Sequence, residues 1–473
     1  MLLQAAALAT MVGFAPHGNV VDLRLDSGQA RIEWISSSTF HFARGPGAGG
    51  QGPGARTVEV EIEDTPSAVV LRSKFLEVSI EKHGVLLHVR NRQGSELMSD
   101  VAADGTWARQ APAGSRFYGL GSRTDSGFDL SGTRQTTDTP FFYCTAGFGE
   151  WHPKPGTYRF DFQAGGHYAI EGPAADYYFY YGPTLKQVLE EHNHVRGPAA
   201  LWAPSHDRFG SWEALLAAVP RILQGGISGL IAPTFDLKPY DGAPDELRSR
   251  ARQLGSLVAE VSPGRDGVST FRKQLESFFE VYAIEAHEKG YPVWHPLPFQ
   301  FPEDTECIRH TDEFMLGDEM LVAPIVTPGN TRRVYLPRGV WTNLETDEVA
   351  EGRQTISVKT TSLPVFARNG TILPLDSEGG MTLHYFPTLG AEFFLIENDG
   401  ADWTQLHAAP AADEMRLEIE SKVARDYRWV VHHVDRPADV PGHAWSYDAK
   451  RRQLEIRVRV AKDADSVINL VWQ

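Results

Sequence analysis

The chain has 473 residues, of which 42% are hydrophobic and 22% are charged, the balance of a globular protein that can bury large cores. A chain of this length is expected to form about two to four domains. Its net charge of −16 argues against nucleic acid or an anionic membrane surface as a partner. The two cysteines, Cys144 and Cys307, have no metal-ligand spacing and make no disulfide framework.

The N-terminal stretch 1–16 is apolar but lacks the basic segment that begins a signal peptide. It is also too short for a membrane span, which needs roughly 20 apolar residues. The stretch fits a signal peptide with a shortened start and fits a misplaced start codon equally well. Cytoplasmic and secreted locations therefore both stay open, and no membrane partner is expected.

Residues 20–180 have the pattern of many short strands. Residues 57–62 and 76–80 alternate strictly between apolar and polar side chains, and residues 84–89 follow a turn at His83-Gly84. Short strands with frequent Gly and Pro between them favour a β-sandwich.

A helical pattern that begins at Leu185 carries His192 and His194 near its end. Side chains two residues apart on a helix do not face one side, and no third ligand lies nearby in the sequence. The pattern favours a solvated helix end over a metal site.

The stretch 205–257 alternates between helical patterns and a short apolar run. Apolar residues at helical spacing follow Trp212, and Pro220 is expected to interrupt that helix. A Gly turn then leads into an apolar run that ends on Asp236, and a second helical pattern follows from Glu246. This is the rhythm of β/α units, in which functional side chains gather at the carboxyl ends of strands. Further on, residues 268–290 predict one more amphipathic helix.

Three groups of motifs resemble one known family. They are Asp207-x-x-x-Ser-Trp212, Phe235-Asp236 and Glu246-Leu-x-x-Arg250-x-x-Gln253 in the centre, Phe117-Tyr-Gly-Leu-Gly121 and residues 176–183 before it, and residues 314–324, 334–341 and 363–374 after it. Together they resemble glycoside hydrolase family 31, which is dominated by α-glucosidases and α-xylosidases. The last group is the most specific, because apolar strands broken by fixed Gly and Pro turns rarely recur together by chance.

The resemblance implies a multidomain β plus α/β fold. Its parts are an N-terminal β-sandwich of the galactose-mutarotase type (1–195), a partial (β/α)8-type barrel (196–317), and two C-terminal β-sandwich domains (318–380 and 381–473). Barrels of this kind take about 250 residues, with about 200 as a practical minimum. Since only residues 201–317 lie between the β regions, the first half of the catalytic barrel is expected to be missing.

The resemblance also assigns site residues. Asp207 takes the position of the general acid/base, and Asp236 matches a carboxylate that supports the sugar pocket. Asp138 falls where the family's N-terminal loop carries a polar residue toward the site, and a turn-forming Asp is an equal alternative. We predict all three as site residues, the last two as substrate-binding.

The nucleophile has no counterpart in this sequence. In the family it is an Asp within a motif of the type Trp-x-Asp-Met-Asn-Glu, which would fall between Trp202 and Ser205, where no such motif is present. A surrogate would have to come from a nearby carboxylate: Asp241, Asp245 or Glu246. Losing one member of a catalytic pair removes most of the rate, so we expect impaired turnover.

Three interpretations follow. The first is a glycoside hydrolase of α-glucosidase type, performing retaining hydrolysis of α-linked glycosides, with its activity impaired by the missing segment. The second is a non-catalytic carbohydrate-binding or interaction protein derived from that family. The third is an internal deletion or a gene-model error that joins Trp202 to Asp207.

The expected partner is an α-glycoside, with the choice between glucose and xylose left open. Acid/base glycosidase chemistry implies no metal and no organic cofactor. A half barrel leaves strand edges and apolar surface uncovered, so self-association through the incomplete barrel is also expected.

Overall fold

The computed structural model describes residues 9–45, 57–101, 107–123, 127–197, 201–202, 210–230, 232–258, 260–262, 270–436 and 438–472. The chain forms two compact units, each built from several stretches of sequence. The first unit holds Met1–Ala200, Pro220–Ile231 and Glu288–Pro292, and the second holds Leu201–Val219, Ala232–His287 and Val293–Gln473. Among the described helices, none combines the length and the apolar character needed to cross a membrane.

The first unit is built mainly of strands, with one helix near the end of its longest stretch. The strands are β1 (Met11–His17), β2 (Val20–Leu25), β3 (Gly28–Trp34), β4 (Thr39–Arg44), β5 (Glu61–Asp64), β6 (Ala68–Arg72), β7 (Leu76–Glu81), β8 (Leu87–Asn91), β9 (Glu96–Val101), β10 (Trp107–Gln110), β11 (Phe117–Gly119), β12 (Arg134–Thr137), β13 (Phe141–Cys144), β14 (Phe148–Trp151), β15 (Tyr158–Phe162), β16 (His167–Glu171) and β17 (Ala175–Tyr181). Helix α1 is Leu185–Arg196, and its N-terminus is closed by a capping box between Thr184 and Gln187.

These strands form a β-sandwich, as the sequence predicts. One sheet has the order β1-β2-β3-β4-β17-β14-β13-β11 and the other the order β12-β15-β16-β10-β9-β8-β7-β6-β5. Buried side chains of both sheets share one apolar core, to which Trp34 contributes from the first sheet and Leu71 from the second. Strand β7 shows the reason, because its alternating sequence buries every second residue.

Two strand boundaries in this sandwich differ from the prediction. The strand predicted at 57–62 begins only at Glu61; before it, the N–H of Val58 donates to Asn19 Oδ1 (2.9 Å) instead of to a neighbouring strand. The turn predicted at His83-Gly84 extends through Val85, whose φ is +55°, so β8 begins at Leu87.

The expected solvated helix end at His192 is wrong. His192 is buried, its ring stacks on Phe141 with centroids 4.1 Å apart, and its Nδ1 lies 3.2 Å from the hydroxyl of Tyr180. Burial lowers the pKa of this imidazole to about 3. His194 is exposed, as predicted. The first histidine faces the sheet because α1 packs its apolar stripe there, and His192 lies on that stripe.

The second unit contains a short α/β segment followed by antiparallel strands. Its strands are β18 (Leu201–Trp202), β19 (Ala232–Asp236), β20 (Glu260–Ser262), β21 (Trp294–Pro296), β22 (Phe314–Leu316), β23 (Met320–Val322), β24 (Thr331–Leu336), β25 (Val340–Asn343), β26 (Val349–Glu351), β27 (Gln354–Lys359), β28 (Val365–Arg368), β29 (Ile372–Ser377), β30 (Gly380–Tyr385), β31 (Ala391–Glu397), β32 (Asp402–Pro410), β33 (Glu414–Ser421), β34 (Arg425–Val431), β35 (Ala438–Asp439), β36 (Ala444–Asp448), β37 (Gln453–Val460) and β38 (Ala464–Trp472). The helices that follow β18 in the chain are α2 (Trp212–Gly226), α3 (Asp245–Gly255), α4 (Thr270–Gln274), α5 (Glu276–Lys289) and α6 (Leu297–Gln300).

The antiparallel strands of this unit form layered sheets. The sheet β21-β22-β23-β28-β25-β26 shares a core with the ribbon β24-β27, in which Trp341 and Val334 meet. Two five-stranded sheets follow, β29-β30-β34-β37-β36 and β31-β32-β33-β38-β35, and a contact between the hydroxyls of Thr404 and Tyr427 (3.4 Å) joins them. The protein is thus a mostly β, multidomain chain with few helices, as predicted. The finer division at 195, 317 and 380 stays a prediction.

Two helix predictions are corrected. Helix α2 continues through Pro220 because Leu215, Val219 and Leu223 are fully buried, and that burial outweighs the roughly 3 kcal/mol that an internal proline costs. The single helix predicted at 268–290 is two helices, α4 and α5, separated at Leu275.

Candidate active site

The sequence places the site at the carboxyl edge of a parallel sheet, and the second unit contains one. Strands β18, β19 and β20 pair in parallel, with Trp202 opposite Pro233 and Asp236 opposite Ser262. Helices α2 and α3 lie between them in the chain, which is the β/α rhythm that the apolar pattern predicts. Because the carboxyl ends of parallel strands meet at one edge, Asp236 stands at the edge where β18 also ends.

Asp236 is half-buried at the last position of β19. Its Oδ1 accepts the N–H of Lys238 at 3.0 Å, which fixes the carboxylate at the start of the 3₁₀ turn Lys238–Tyr240. This is the local bond with which an Asp commonly starts a turn. An ionised carboxylate has about four acceptor positions, so one such bond leaves it able to accept from sugar hydroxyls.

Asp207 lies outside the described residues, in the stretch 203–209 between β18 and α2. Gly210, three residues later, is described, and its N–H donates to the carbonyl of Pro239 at 2.8 Å. A Cβ at position 210 would lie only 2.6 Å from that oxygen, so the contact requires glycine. The chain that follows Asp207 is therefore held against the turn that follows Asp236.

Asp138 lies in the first unit, exposed, in the turn between β12 and β13. Its Oδ1 accepts from the hydroxyl of Thr139 at 3.3 Å. The N–H of Thr139 in turn donates to Thr137 Oγ1 at 2.9 Å, so local side-chain bonds shape this turn.

The three carboxylates considered as surrogate nucleophiles lie in or near helix α3. Asp245 is exposed and pairs with Arg248 one turn further along the helix. Glu246 accepts the N–H of Gly329 at 2.7 Å, and Asp241 is exposed at the end of the 3₁₀ turn. Two of the three are thus engaged in contacts that hold the local fold.

Comparison with known proteins finds the same family that the sequence motifs resemble. The pattern described as "Glycosyl hydrolase family 31 C-terminal domain" matches residues 290–373. Alpha-glucosidase 2 of Bacillus thermoamyloliquefaciens is 30% identical over 256 residues, which cover 47% of this chain. Residues 290–373 thus match the C-terminal domain of glycoside hydrolase family 31, and a longer part of the chain is similar to an alpha-glucosidase.

The match to that relative covers 32% of the relative's length, so this chain spans about a third of it. An alpha-glucosidase of Saccharolobus solfataricus is 42% identical over 96 residues, 20% of this chain and 14% of that protein. A family-31 dextranase of Flavobacterium johnsoniae, solved with isomaltotriose, superposes with a TM-score of 0.84 at 14% identity, covering 98% of this chain and all of that one. At this identity the superposition shows a shared fold.

The motif around Arg250, which resembles family 31, serves the fold. Arg250 is buried, and its guanidinium donates to the carbonyls of Thr360 (3.1 Å), Thr361 (3.0 Å) and Ser362 (3.0 Å). Gln253, the other polar residue of the motif, donates to the Thr361 carbonyl as well (3.0 Å). Helix α3 is thereby fastened to the loop between β27 and β28.

Sequence reasoning missed a second group of polar side chains. Asp347, His432 and His433 lie together in the second unit, with one possible ligand atom from each within 4.8 Å of the others. The carboxylate is 85 residues from the first histidine, so no local spacing marks the group. In the sequence, only the two adjacent histidines after an apolar strand, His432 and His433, indicate such a group.

Proposed function

We propose that this family-31 chain binds α-linked glucosides at the carboxyl edge of its parallel sheet, and that its hydrolytic turnover is impaired. The curated relatives it resembles are named alpha-glucosidases, and the dextranase with the similar fold was solved with an α-glucan oligosaccharide. The observation that carries the proposal is the position of Asp236, a half-buried carboxylate at the end of the central strand of that sheet.

Each predicted residue has a role in this proposal. Asp236 accepts hydrogen bonds from hydroxyl groups of the sugar. Asp138 has the same role by its sequence-based assignment. Asp207 is the general acid/base, protonating the glycosidic oxygen and then activating water. Retaining hydrolysis also needs a carboxylate nucleophile roughly 5–5.5 Å from that acid, to form the covalent glycosyl intermediate.

The impaired hydrolytic turnover follows from the missing nucleophile. Only Ala203 and Pro204 separate Trp202 from Ser205, and neither can attack an anomeric carbon. Among the described residues the parallel sheet has three strands, against eight in a complete barrel. We interpret residues 196–317 as a partial barrel between an N-terminal sandwich (1–195) and two C-terminal sandwich domains (318–380 and 381–473).

Two measurements on the purified chain test this proposal. The first is hydrolysis of p-nitrophenyl α-glucoside by the parent and by Asp207→Asn. We expect both to remain at the background rate. Turnover by the parent that is lost in Asp207→Asn would show an intact acid/base and a replacement nucleophile, and the inferred impairment would be wrong.

The second measurement is calorimetric titration with isomaltotriose. We expect the parent to bind, and Asp236→Asn to bind roughly 10- to 100-fold more weakly, since a hydrogen bond to a charged group contributes about 1.5–3 kcal/mol. Glu392→Gln, at an exposed position of β31, is the matched control and should bind as the parent does. A parent that binds no isomaltotriose, or equal affinity in Asp236→Asn, contradicts the proposed sugar site.

A non-catalytic interaction role is the second candidate, and the three-stranded sheet favours it. In the part of the chain that the structure describes, strands β18 and β20 are its edges, and unpaired edges are templates for pairing with another chain. We expect self-association through this incomplete barrel in size-exclusion chromatography with light scattering. A monodisperse monomer at all concentrations would count against it.

A further inference from the structure

The group formed by Asp347, His432 and His433 combines ligand types that metal ions prefer. Asp347 lies in the turn between β25 and β26, and the two histidines follow directly after β34. One ligand atom of each lies within 4.8 Å of the other two. Two imidazoles and one carboxylate are a donor set that suits Zn²⁺.

We propose that Asp347, His432 and His433 form a binding site for a divalent transition-metal ion of the Zn²⁺ type. The site would join two sheets of the second unit, because Asp347 comes from the sheet of β25 and β26 and the histidines from the sheet of β34. The role would be structural and separate from sugar binding.

The geometry around His432 fits a metal ligand. Its Nδ1 lies 2.9 Å from Oδ1 of Asp347, close to the separation of about 3.3 Å between neighbouring ligands around a tetrahedral Zn²⁺ with bonds of about 2.0 Å. Its other ring nitrogen, Nε2, lies 2.9 Å from Nδ1 of His384. A metal-bound histidine usually donates its second N–H to a partner that orients the ring, and His384 is placed to accept it.

The hydrogen bonds of His433 leave it one nitrogen for a metal. The hydroxyl of Thr342 donates its proton to Oδ1 of Asn369 (2.7 Å), so it accepts from Nε2–H of His433 (2.9 Å). This assigns the proton to Nε2 and leaves the Nδ1 lone pair available.

Two residues of this group, Asp347 and His433, have left-handed backbone conformations, which help to bring the side chains together. Consecutive residues of a strand point to opposite faces, yet His432 and His433 both contribute to one group. The left-handed backbone of His433 (φ +58°) interrupts that alternation at the end of β34, and Asp347 is left-handed as well (φ +61°). Non-glycine residues adopt this conformation in only a few per cent of cases, and such outliers cluster at binding sites.

A fourth donor lies beside the group. The amide nitrogen of Gln453 is 3.3 Å from His432 Nδ1 and 3.4 Å from Asp347 Oδ2. Turning this amide over would present its oxygen at the same place, where an oxygen ligand could complete a tetrahedral set.

The test is Zn²⁺ titration of the chelator-treated full chain by calorimetry, with Co²⁺ as a spectroscopic probe of coordination. The chain contains 17 histidines, so weak surface binding sets the background. We expect one tight site in the parent, visible absorption bands typical of tetrahedral Co²⁺, and a higher melting temperature with metal. His194→Gln, at an exposed helical histidine of the first unit, is the control and should keep the site.

Two conservative variants remove ligands without emptying the core: Asp347→Asn and His433→Gln. Each should lose at least about 100-fold in Zn²⁺ affinity, and His384→Ala should lose roughly 10- to 100-fold, the usual effect of removing a partner of a ligand. Circular dichroism without metal shows whether each variant is folded. Absence of a saturable site in the parent, or an unchanged site in folded Asp347→Asn and His433→Gln, would overturn the proposal.

Discussion

Replacing Arg250 by leucine should be one of the most destabilising single changes in helix α3. The side chain is buried, and its guanidinium donates to three consecutive backbone carbonyls of the loop between β27 and β28. Leucine fills part of the volume but donates no hydrogen bond. A buried carbonyl without a donor is costly, and Thr360 of this loop is buried.

The magnitude follows from counting those carbonyls. Thr361 keeps a donor, Nε2 of Gln253 at 3.0 Å, and the exposed Ser362 carbonyl can accept from water, so the buried Thr360 carbonyl is the one left without a donor. Each unsatisfied buried group costs about 1–3 kcal/mol. Removing the buried charge recovers part of this cost, because burial disfavours the charged guanidinium and lowers its pKa. We expect a net loss of roughly 1–3 kcal/mol.

Thermal unfolding measures this loss. For 150–250 residues, 1 kcal/mol shifts the melting temperature by about 2–4 °C, so Arg250→Leu should lower it by roughly 2–12 °C. Arg248→Leu on the same helix is the matched control. It removes an ion pair to exposed Asp245 and a bond to the carbonyl of Asp241 (3.2 Å), together about 1 kcal/mol or less. Equal shifts in the two variants would refute the role given to Arg250.

Three further predictions concern buried groups and a close contact. Burial raises the pKa of the Glu319 carboxyl from 4.5 to about 8, so the folded chain holds a proton there that the unfolded chain has lost. That contribution to stability is complete below pH 4.5 and is lost as the pH rises through about 8. In urea unfolding, the free energy of unfolding of Glu319→Gln should therefore rise relative to that of the parent between pH 5 and pH 8. A difference between the two that does not change with pH would contradict this. Gly210→Ala should lower the melting temperature and weaken isomaltotriose binding, because its Cβ would meet the Pro239 carbonyl at 2.6 Å; unchanged values for both would argue against the contact. Burial raises the pKa of the Cys144 thiol to about 12 and raises that of Cys307 as well, so the native chain should resist iodoacetamide at pH 8 and react after denaturation, whereas labelling of the native chain would contradict it.

The parts of the fold that sequence predicts well are those in which local pattern and burial agree. Strand β7 alternates and buries every second residue, and helix α3 carries its apolar residues on the buried side. At Pro220 the local rule that proline breaks helices fails, because burial of the apolar face of α2 outweighs it. At His192 the helical pattern fails, because Tyr180 and Phe141 set the environment of the ring and the pattern does not reveal them.

The candidate site was predictable only in part. That Asp236 ends a strand could be read from an apolar run followed by a carboxylate, and the parallel pairing of β19 follows from the β/α rhythm. The metal-binding group could not be found this way, since Asp347 and His432 are brought together by packing of two sheets. Contacts of high sequence separation carry no periodicity, and a pair such as His432-His433 is only a hint without its partner.

The residues that identify the family are mainly those that hold the fold. Gly317, within the stretch 314–324, has φ +60°, and a Cβ there would lie 2.4 Å from the ring of Tyr282. Trp341, within 334–341, is fully buried and donates its indole N–H to the carbonyl of Pro337 at 2.8 Å. Such constraints act on stability whether or not a glycoside is ever cleaved, so resemblance to family 31 and catalysis by this chain are separate questions. Changes at these positions should lower the fraction of folded chains without changing the affinity of each folded chain for isomaltotriose. Asp236→Asn should instead weaken the affinity for isomaltotriose and leave the fraction of folded chains unchanged.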